Sequence, residues 1–411
     1  MTMVMPNTRP IGVLMAVLFC AGTGSAVAQG TAVTEGLTLN DTLARLTLPV
    51  AGAAIGEAIS LATALEVATS PLGISSAGFV YKLDPATGLR VRTATTFGPA
   101  FSERVLTAGA GKLSFATSLS VATYDRLGSF KLDQMELSSV AAASPETARQ
   151  GLTSLVMSSQ TFVMYAALGA TDRLDLAVAV PMVKVSVEGL SWVQNQNGDV
   201  LLRSVASGVS SGLGDVAVLA KFRLLRFGEG EPDPGGVAIV GTVRMPTGDR
   251  DNLRGLGITR TLGSIVASSG RGRFRPHANV GYELWSKGLD VVTDPLSKRT
   301  VTAKDQVQYS AGIEVEAAPK VTLIVDLLGR HILGGGRIAS EAFTPPANLF
   351  GATSFRVATA QANGIRKLTL APGLKWNLKG NMLLSLNALI PLLDNGLSDR
   401  FTPVMGLDWT F

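Results

Sequence analysis

Along much of the chain polar and apolar residues alternate one by one. From Gln306 to Ala317 the odd positions are Val307, Tyr309, Ala311, Ile313, Val315 and Ala317, and the even ones Gln306, Gln308, Ser310, Gly312, Glu314 and Glu316. A period of two puts each set on its own face of a β-strand, so this stretch predicts a strand with one apolar and one polar side. Leu368, Leu370, Leu374, Trp376 and Leu378 oppose Lys367, Thr369, Gly373, Lys375 and Asn377 in the same way. So do Val216, Val218, Ala220, Phe222 and Leu224 against Asp215, Lys221 and Arg223, and Phe274, Ala278, Val280, Tyr282 and Leu284 against Arg273, Arg275, His277, Asn279 and Glu283.

The pattern predicts strands at 110–123, 156–170, 173–187, 213–227, 236–246, 258–268, 273–286, 306–317, 320–331, 366–378, 381–391 and 402–411. Their connections alternate between long (124–155, 188–212, 247–257, 287–305, 332–365, 392–401) and short (171–172, 228–235, 269–272, 318–319, 379–380). Long loops at one end and tight turns at the other distinguish an outer-membrane barrel from a soluble sandwich, which also alternates. A further hairpin, Ser75–Leu83 and Leu89–Thr95 about Asp84-Pro85-Ala86-Thr87-Gly88, has strand-like residues and a turn signal. An up-and-down barrel with both ends on one side needs an even number, and twelve or fourteen strands both satisfy it.

Composition supports strands over helices. The chain is 46% hydrophobic and only 16% charged, against roughly 25% charged in ordinary soluble domains. Gln150 to Thr171 carries no charge but has Ser158-Ser159-Gln160-Thr161 at its centre, a poor middle for a membrane helix. The fold class expected is therefore all-β, a transmembrane antiparallel up-and-down β-barrel of twelve to fourteen strands with a short helical N-terminal segment. A net charge of +5 is too balanced to argue for nucleic acid.

Residues 1–28 read as a cleaved export signal: Arg9 is the sole charge, Ile11 to Ala21 is apolar, and Ala26-Val27-Ala28 has the small-x-small pattern before Gln29. Cys20, the single cysteine, falls inside it, so the exported chain has no disulfide. Residues 29–73 form a helical segment: Asn40 or Asp41 is a plausible cap, Pro49 an interruption, and Ala54 to Thr69 a second helix before Pro71. It serves as a periplasmic tether or as a plug in the lumen. Residues 74–411 are assigned to the barrel, in the bacterial outer membrane with its lipid as the first partner.

Met405, Leu407, Trp409 and Phe411 share one face of the last strand. The ending resembles the terminal targeting signal of outer-membrane barrels, a Gly followed three and five positions on by apolar or aromatic residues. Gly406, Trp409 and Phe411 match it, while Val404 stands where a polar residue is usual. The resemblance implies recognition by the barrel-assembly machinery.

Gly212-Leu213-Gly214-Asp215, a strand, a turn, a second strand and Pro246-Thr247-Gly248-Asp249 follow one another. This order resembles the outer-membrane family of meta-pathway phenol-degradation proteins, related in architecture to fatty-acid and aromatic-hydrocarbon transport barrels. The resemblance covers about residues 210 to 411 and implies uptake of small hydrophobic compounds. Read physically, the same residues are strand punctuation: glycines for tight backbone, and Asp215 to accept from backbone donors.

Alternation projects Arg223, Arg244, Arg273, Arg275, His277, Glu283, Glu314, Glu316, Asp326, Arg330, Lys367, Lys375 and Asp408 into the lumen. Both signs are present, which fits a salt-bridged packed interior or a polar channel. His277 and His331 are the only histidines and neither lies in a His-x-Ser pattern; His277 reads as a wall residue and His331 as a loop residue, so no catalysis is expected. Gly109-Ala110-Gly111-Lys112 lacks the spacing of a phosphate loop, and no paired metal ligands stand out, so neither cofactor nor metal is expected. The function expected is passage of small hydrophobic molecules across the outer membrane. The alternative is a closed structural or adhesive barrel that binds a partner through its long loops, 332–365 above all.

Overall fold

The computed structural model describes residues 37–50, 52–72, 78–83, 90–92, 94, 96–139, 149–194, 200–227, 235–270, 272–294, 299–343 and 355–411; the expected export signal and the Asp84–Gly88 turn lie outside them. The wall is made of twelve strands: β1 (Leu113–Leu127), β2 (Arg149–Gly169), β3 (Leu174–Gln194), β4 (Ala217–Arg226), β5 (Gly236–Arg244), β6 (Arg260–Ser268), β7 (Phe274–Trp285), β8 (Arg299–Ala318), β9 (Val321–Gly334), β10 (Ile365–Asn377), β11 (Met382–Asp394) and β12 (Thr402–Thr410). Each pairs antiparallel with the next, and β12 returns to β1 from Val404↔Ser120 to Thr410↔Ser114. Closure leaves no free edge around the ring, the condition for a sheet to cross a bilayer.

The expected strand count resolves to twelve. Tyr81–Leu83 and Arg90–Arg92 do pair, but as a separate two-stranded ribbon, so the fourteen-strand reading is corrected. The wall begins at Leu113 rather than near residue 74. Several paired segments inside the expected loops were not anticipated: Met135–Ser139 pairs with the start of β2, Leu289–Asp294 with the start of β8, and Arg337–Phe343 with Phe355–Gln361 as a separate hairpin. The longest is Val200–Leu213, which pairs with the far half of β3, while β4 takes the near half. Its Ser-rich, small-residue sequence has little of the polar–apolar contrast that announces the other strands. The stretch weighed and rejected as a membrane helix, 150–171, lies almost wholly in β2.

The polarity of the wall is inverted relative to a soluble protein. On β7, Phe274, Val280 and Leu284 are exposed on the outer face, whereas His277 and Glu283 are buried on the inner one. An apolar outside over a charged inside matches a bilayer-spanning barrel. The wall is uneven in height. β2 and β3 have 21 residues each, β5 and β6 only 9, close to the minimum of about 9–11 for a tilted membrane strand.

Two helices occupy the loop half of the interior. α1 (Leu39–Thr47) starts at Thr38, not at the expected Asn40 or Asp41, through a capping box: Asp41 N donates to Thr38 Oγ1 at 3.1 Å and Thr38 N to Asp41 Oδ2 at 3.1 Å. The Thr38 hydroxyl, donating to Asp41 Oδ2 at 2.7 Å, and after it the Thr38 N–H hold the Asp41 carboxyl below the ordinary aspartate range. α2 (Ala53–Thr69) carries Glu57, which is exposed, and Glu66 as its only charges and is otherwise apolar round most of its circumference, as a largely buried helix must be. Leu43, Leu46, Ile59 and Leu65 pack with the inward side chains Leu155, Met157, Val183, Val185 and Val187 of β2 and β3. Glycines in the wall admit them. A Cβ at Gly151 would lie 1.7 Å from Val50 Cγ1, and one at Gly189 would lie 2.9 Å from Leu46 Cδ1.

Candidate functional site: the filled interior of the barrel

Residues 96–110 cross the turn half of the interior as an irregular strap. Such a segment has no ladder to satisfy its backbone groups, so the wall must supply partners. Phe97 N donates to Thr322 Oγ1 at 3.2 Å and Gly98 N to Glu314 Oε2 at 3.0 Å. Ala100 N and Phe101 N both donate to Asp326 Oδ2, at 3.3 and 3.2 Å, and Ala108 N to Asp175 Oδ2 at 3.1 Å. The carbonyls are met by cations: Lys375 Nζ donates to Pro99 O at 2.7 Å, and Lys221 Nζ to Leu106 O at 2.8 Å.

This accounts for much of the charge that alternation had aimed inward. Glu314, Asp326, His277 and Lys375 form one cluster under the strap. His277 Nε2 lies 2.7 Å from Asp326 Oδ1 and its Nδ1 lies 3.9 Å from Glu314 Oε1, so both ring nitrogens face carboxylates. A second cluster sits at the end of α2. Glu66 is paired by Arg330 and Lys367, and Lys367 also reaches Asp394 and Leu397 O. Burial opposes the charge on Glu66, yet the Arg330 guanidinium and Lys367 ammonium outweigh it and hold the carboxyl below its ordinary value.

The third cluster joins the glycine motifs. Asp215 accepts from Gly248 N at 3.1 Å, Leu256 N at 3.3 Å and Arg260 Nη2 at 3.1 Å. Thr247 Oγ1 donates to Gly214 O at 2.6 Å and accepts from Val216 N at 2.9 Å. Asp249 caps its own loop, accepting from Asn252 Nδ2 at 2.7 Å and Arg254 Nη2 at 3.1 Å. The side-chain bond from Asn252 is the main reason its carboxyl titrates below the ordinary range. Arg260 also reaches Ala68 O at 3.0 Å, so the motif loop, β6 and the end of α2 are one bonded unit.

Glu283 stands beside this unit on β7, accepting from Trp285 Nε1 at 2.9 Å and Gln306 Nε2 at 2.8 Å, with Arg244 Nε 3.9 Å away. Other expected inward residues do less there. Arg223 donates to Asp172 O at 2.8 Å beside the 170–173 turn, and Arg275 to Gly272 O at 2.7 Å in its own hairpin. Glu316 and Asp408 are half-buried near the turn-side rim. Arg273 is exposed in the turn, because β7 starts one residue later than the pattern placed it. His331 is a member of β9 rather than of a loop. The expected lumen set omitted Lys221, although it falls on the polar face of β4, and also Asp175 and Arg260; apolar Leu219 shares the face of Lys221, and Leu262 and Val266 that of Arg260, masking the polar signal.

Between the end of α2 and the strap remains a cavity of about 240 Å³. Its walls include Glu66, Thr69 and Leu72 from the plug side, Phe101 and Glu103 from the strap, and inward residues of β4 to β11. Arg244, Arg260, Gln306, Gln308 and Arg330 make one part polar, whereas Leu219, Val240, Leu262, Leu328 and Leu389 make the rest apolar. At the seam, Phe411 packs edge to face on Phe115, with ring centroids 6.3 Å apart, and Phe411 N donates to Leu113 O at 2.8 Å.

No protein-family model and no curated protein sequence matches the chain. Among solved structures it is similar to the COG4313 outer membrane channel from Pseudomonas putida F1, with 14% identity, 75% of this chain and 98% of that one covered, and a TM-score of 0.47. It is also similar to the Ralstonia pickettii toluene transporter TbuX, with 11% identity, coverages of 84% and 98%, and a TM-score of 0.35. The translocator domain of the autotransporter NalP from Neisseria meningitidis matches at 11% identity, with coverages of 74% and 89% and a TM-score of 0.32.

Proposed function

We propose that the protein resides in the outer membrane and passes small hydrophobic molecules by diffusion through a path that includes the interior cavity. The observation that carries this reading is the apolar patch of Leu219, Val240, Leu262, Leu328 and Leu389 facing inward around that cavity. A barrel built for hydrophilic solutes keeps a polar, water-filled lumen, whereas here the helices and the strap fill the interior and leave an enclosure half lined by aliphatic side chains. The resemblance of the glycine motifs to the meta-pathway phenol-degradation family supports small hydrophobic compounds as the solute class. Gly406, Trp409 and Phe411 act in this reading as the signal that delivers the chain to the assembly machinery, after removal of residues 1–28.

Proteoliposomes holding the purified protein take up toluene and phenol faster than empty ones while conducting ions poorly. Uptake equal to that of empty liposomes refutes the channel. The same filled interior favours a second reading, a closed barrel that binds a partner through its loops; that reading requires electrical silence together with no solute uptake.

A further inference from the structure

We infer that the cavity holds an anion-binding subsite centred on Arg244, so that the preferred solute is an amphiphile with a carboxylate head and a compact apolar body. This inference rests on the channel reading above and names the class of molecule the channel selects.

The cavity borders on four cations, and three of them are engaged. Arg330 is bound to Glu66 and Thr69, Lys367 to Glu66, Asp394 and a carbonyl, and Arg260 to Asp215 and Ala68 O. Arg244 differs. Its side chain is 15% exposed, and its contact with a carboxylate is Glu283 Oε2 at 3.9 Å, beyond hydrogen-bond reach. Glu283 already accepts from Trp285, Gln306 and Gln308, with Arg260 Nη1 3.6 Å away. Among the described residues, Arg244 Nε is buried with no hydrogen-bond partner; Nε and Nη1 of the adjacent Arg260 are likewise unmatched, but Arg260 is anchored by its two Nη2 bonds whereas Arg244 has the 3.9 Å contact alone.

A buried guanidinium with an unmatched donor is unfavourable unless an anion completes it, and its planar fork matches a carboxylate. The neighbouring register supplies the apolar half. Thr242 lies two positions below Arg244 on the same face of β5, flanked across the sheet by Leu219 and Leu262, and Val240 lies two positions further down. Two residues of strand span about 7 Å, so a head group on Arg244 places the apolar body over Leu219 and Leu262. The volume of about 240 Å³ lies below the roughly 300–1,000 Å³ of drug-sized sites, which favours one short arylalkanoate over a long acyl chain.

Isothermal titration of the full-length protein in amphipol, with 3-phenylpropionate and its neutral counterpart 3-phenylpropan-1-ol, tests the subsite. Wild type should bind the carboxylate at least ~10-fold more tightly than the alcohol. Arg244→Gln should abolish that preference and leave the alcohol within about twofold, while Arg244→Lys, a point charge in place of a fork, should retain part of it. Each variant is first shown to be folded by its heat-modifiable band.

Equal affinities in wild type, an unchanged preference in Arg244→Gln, or no binding of either compound overturns the subsite. Toluene uptake by proteoliposomes is scored separately. Uptake without carboxylate preference overturns the subsite and leaves the channel standing; carboxylate-selective binding without uptake of any solute overturns the channel and leaves the subsite standing.

Discussion

Replacing Asp326 by alanine should undock the strap without opening the wall. Asp326 is fully buried; its Oδ2 accepts from Ala100 N and Phe101 N at 3.3 and 3.2 Å, and its Oδ1 lies 2.7 Å from His277 Nε2. Alanine leaves two buried N–H groups unmatched, at about 1–3 kcal/mol each, and removes a bond involving a charged group, at about 1.5–3 kcal/mol. Water entering from the cavity recovers part of this, so about 4 kcal/mol is a working figure, or roughly a 1,000-fold shift toward the undocked strap. The mature chain is expected to lack cysteine, so Ser102→Cys serves as a reporter; Ser102 is 2% exposed. Its maleimide labelling should be slow in the otherwise native barrel and accelerate by about 100- to 1,000-fold with Asp326→Ala, accompanied by a rise in single-channel conductance. Asp326→Asn, which keeps an acceptor, should fall between. Unchanged labelling and conductance in a folded Asp326→Ala barrel would refute the idea that wall charges exist to hold the strap.

Glu66→Gln should loosen α2, since Arg330 and Lys367 lose the charge they share; breaking a buried pair of this kind costs about 3–5 kcal/mol, seen as a lower thermal transition and higher conductance. The pH dependence of that latch follows from a folded pKa lying below the ordinary 4.5. Its stabilisation is complete above the ordinary value and lost as pH falls through the lowered one, so conductance should stay flat from about pH 8 to pH 5 and rise only in stronger acid; a transition near neutrality would count against it. Gly151→Val drives a side chain into Val50, whose Cγ1 lies 1.7 Å from the ideal Cβ, and should cost about 1–3 kcal/mol as an earlier loss of the heat-modifiable form. Gly241→Val, with nothing within 4 Å, is the matched control expected to behave as wild type. Phe411→Ala removes the edge-to-face contact with Phe115 and the terminal aromatic, and should deplete the assembled form in outer membranes; a wild-type amount of that form would sink the targeting reading.

The wall was legible because a bilayer-spanning barrel keeps its outer face apolar and most strands carry polar residues inward, although inward Leu155, Met157, Val183, Val185 and Val187 depart from that rule where the helices fill the interior. Val200–Leu213 escaped because serine and glycine blur the two faces, and the 75–95 hairpin misled because good strand and turn residues do not say which sheet a ribbon joins. Alternation also found the inward charges but not their use. Asp326 and Lys375 are anchored to the backbone of residues 97–101, and an irregular strap carries no period that would reveal it. The joining of Asp215 to the loop after Pro246 was partly visible as paired glycine motifs, read only as punctuation. At Gly255, beyond both motifs, a Cβ would sit 2.4 Å from Asp215 Oδ1, so it is this glycine that makes room for the carboxylate.

The seam between β12 and β1 joins residues nearly 300 positions apart, Ser114 to Thr410, and loop-closure entropy makes so distant a pairing a late one. The helices and strap are synthesised before any of the wall. α2, apolar round most of its circumference, has nowhere to bury until β3, β8 to β10 and their neighbours surround it. Ordering of the N-terminal segment therefore follows formation of the wall around it. In the outer-membrane reading proposed above, the chain thus closes a cylinder that its own leading segment then fills.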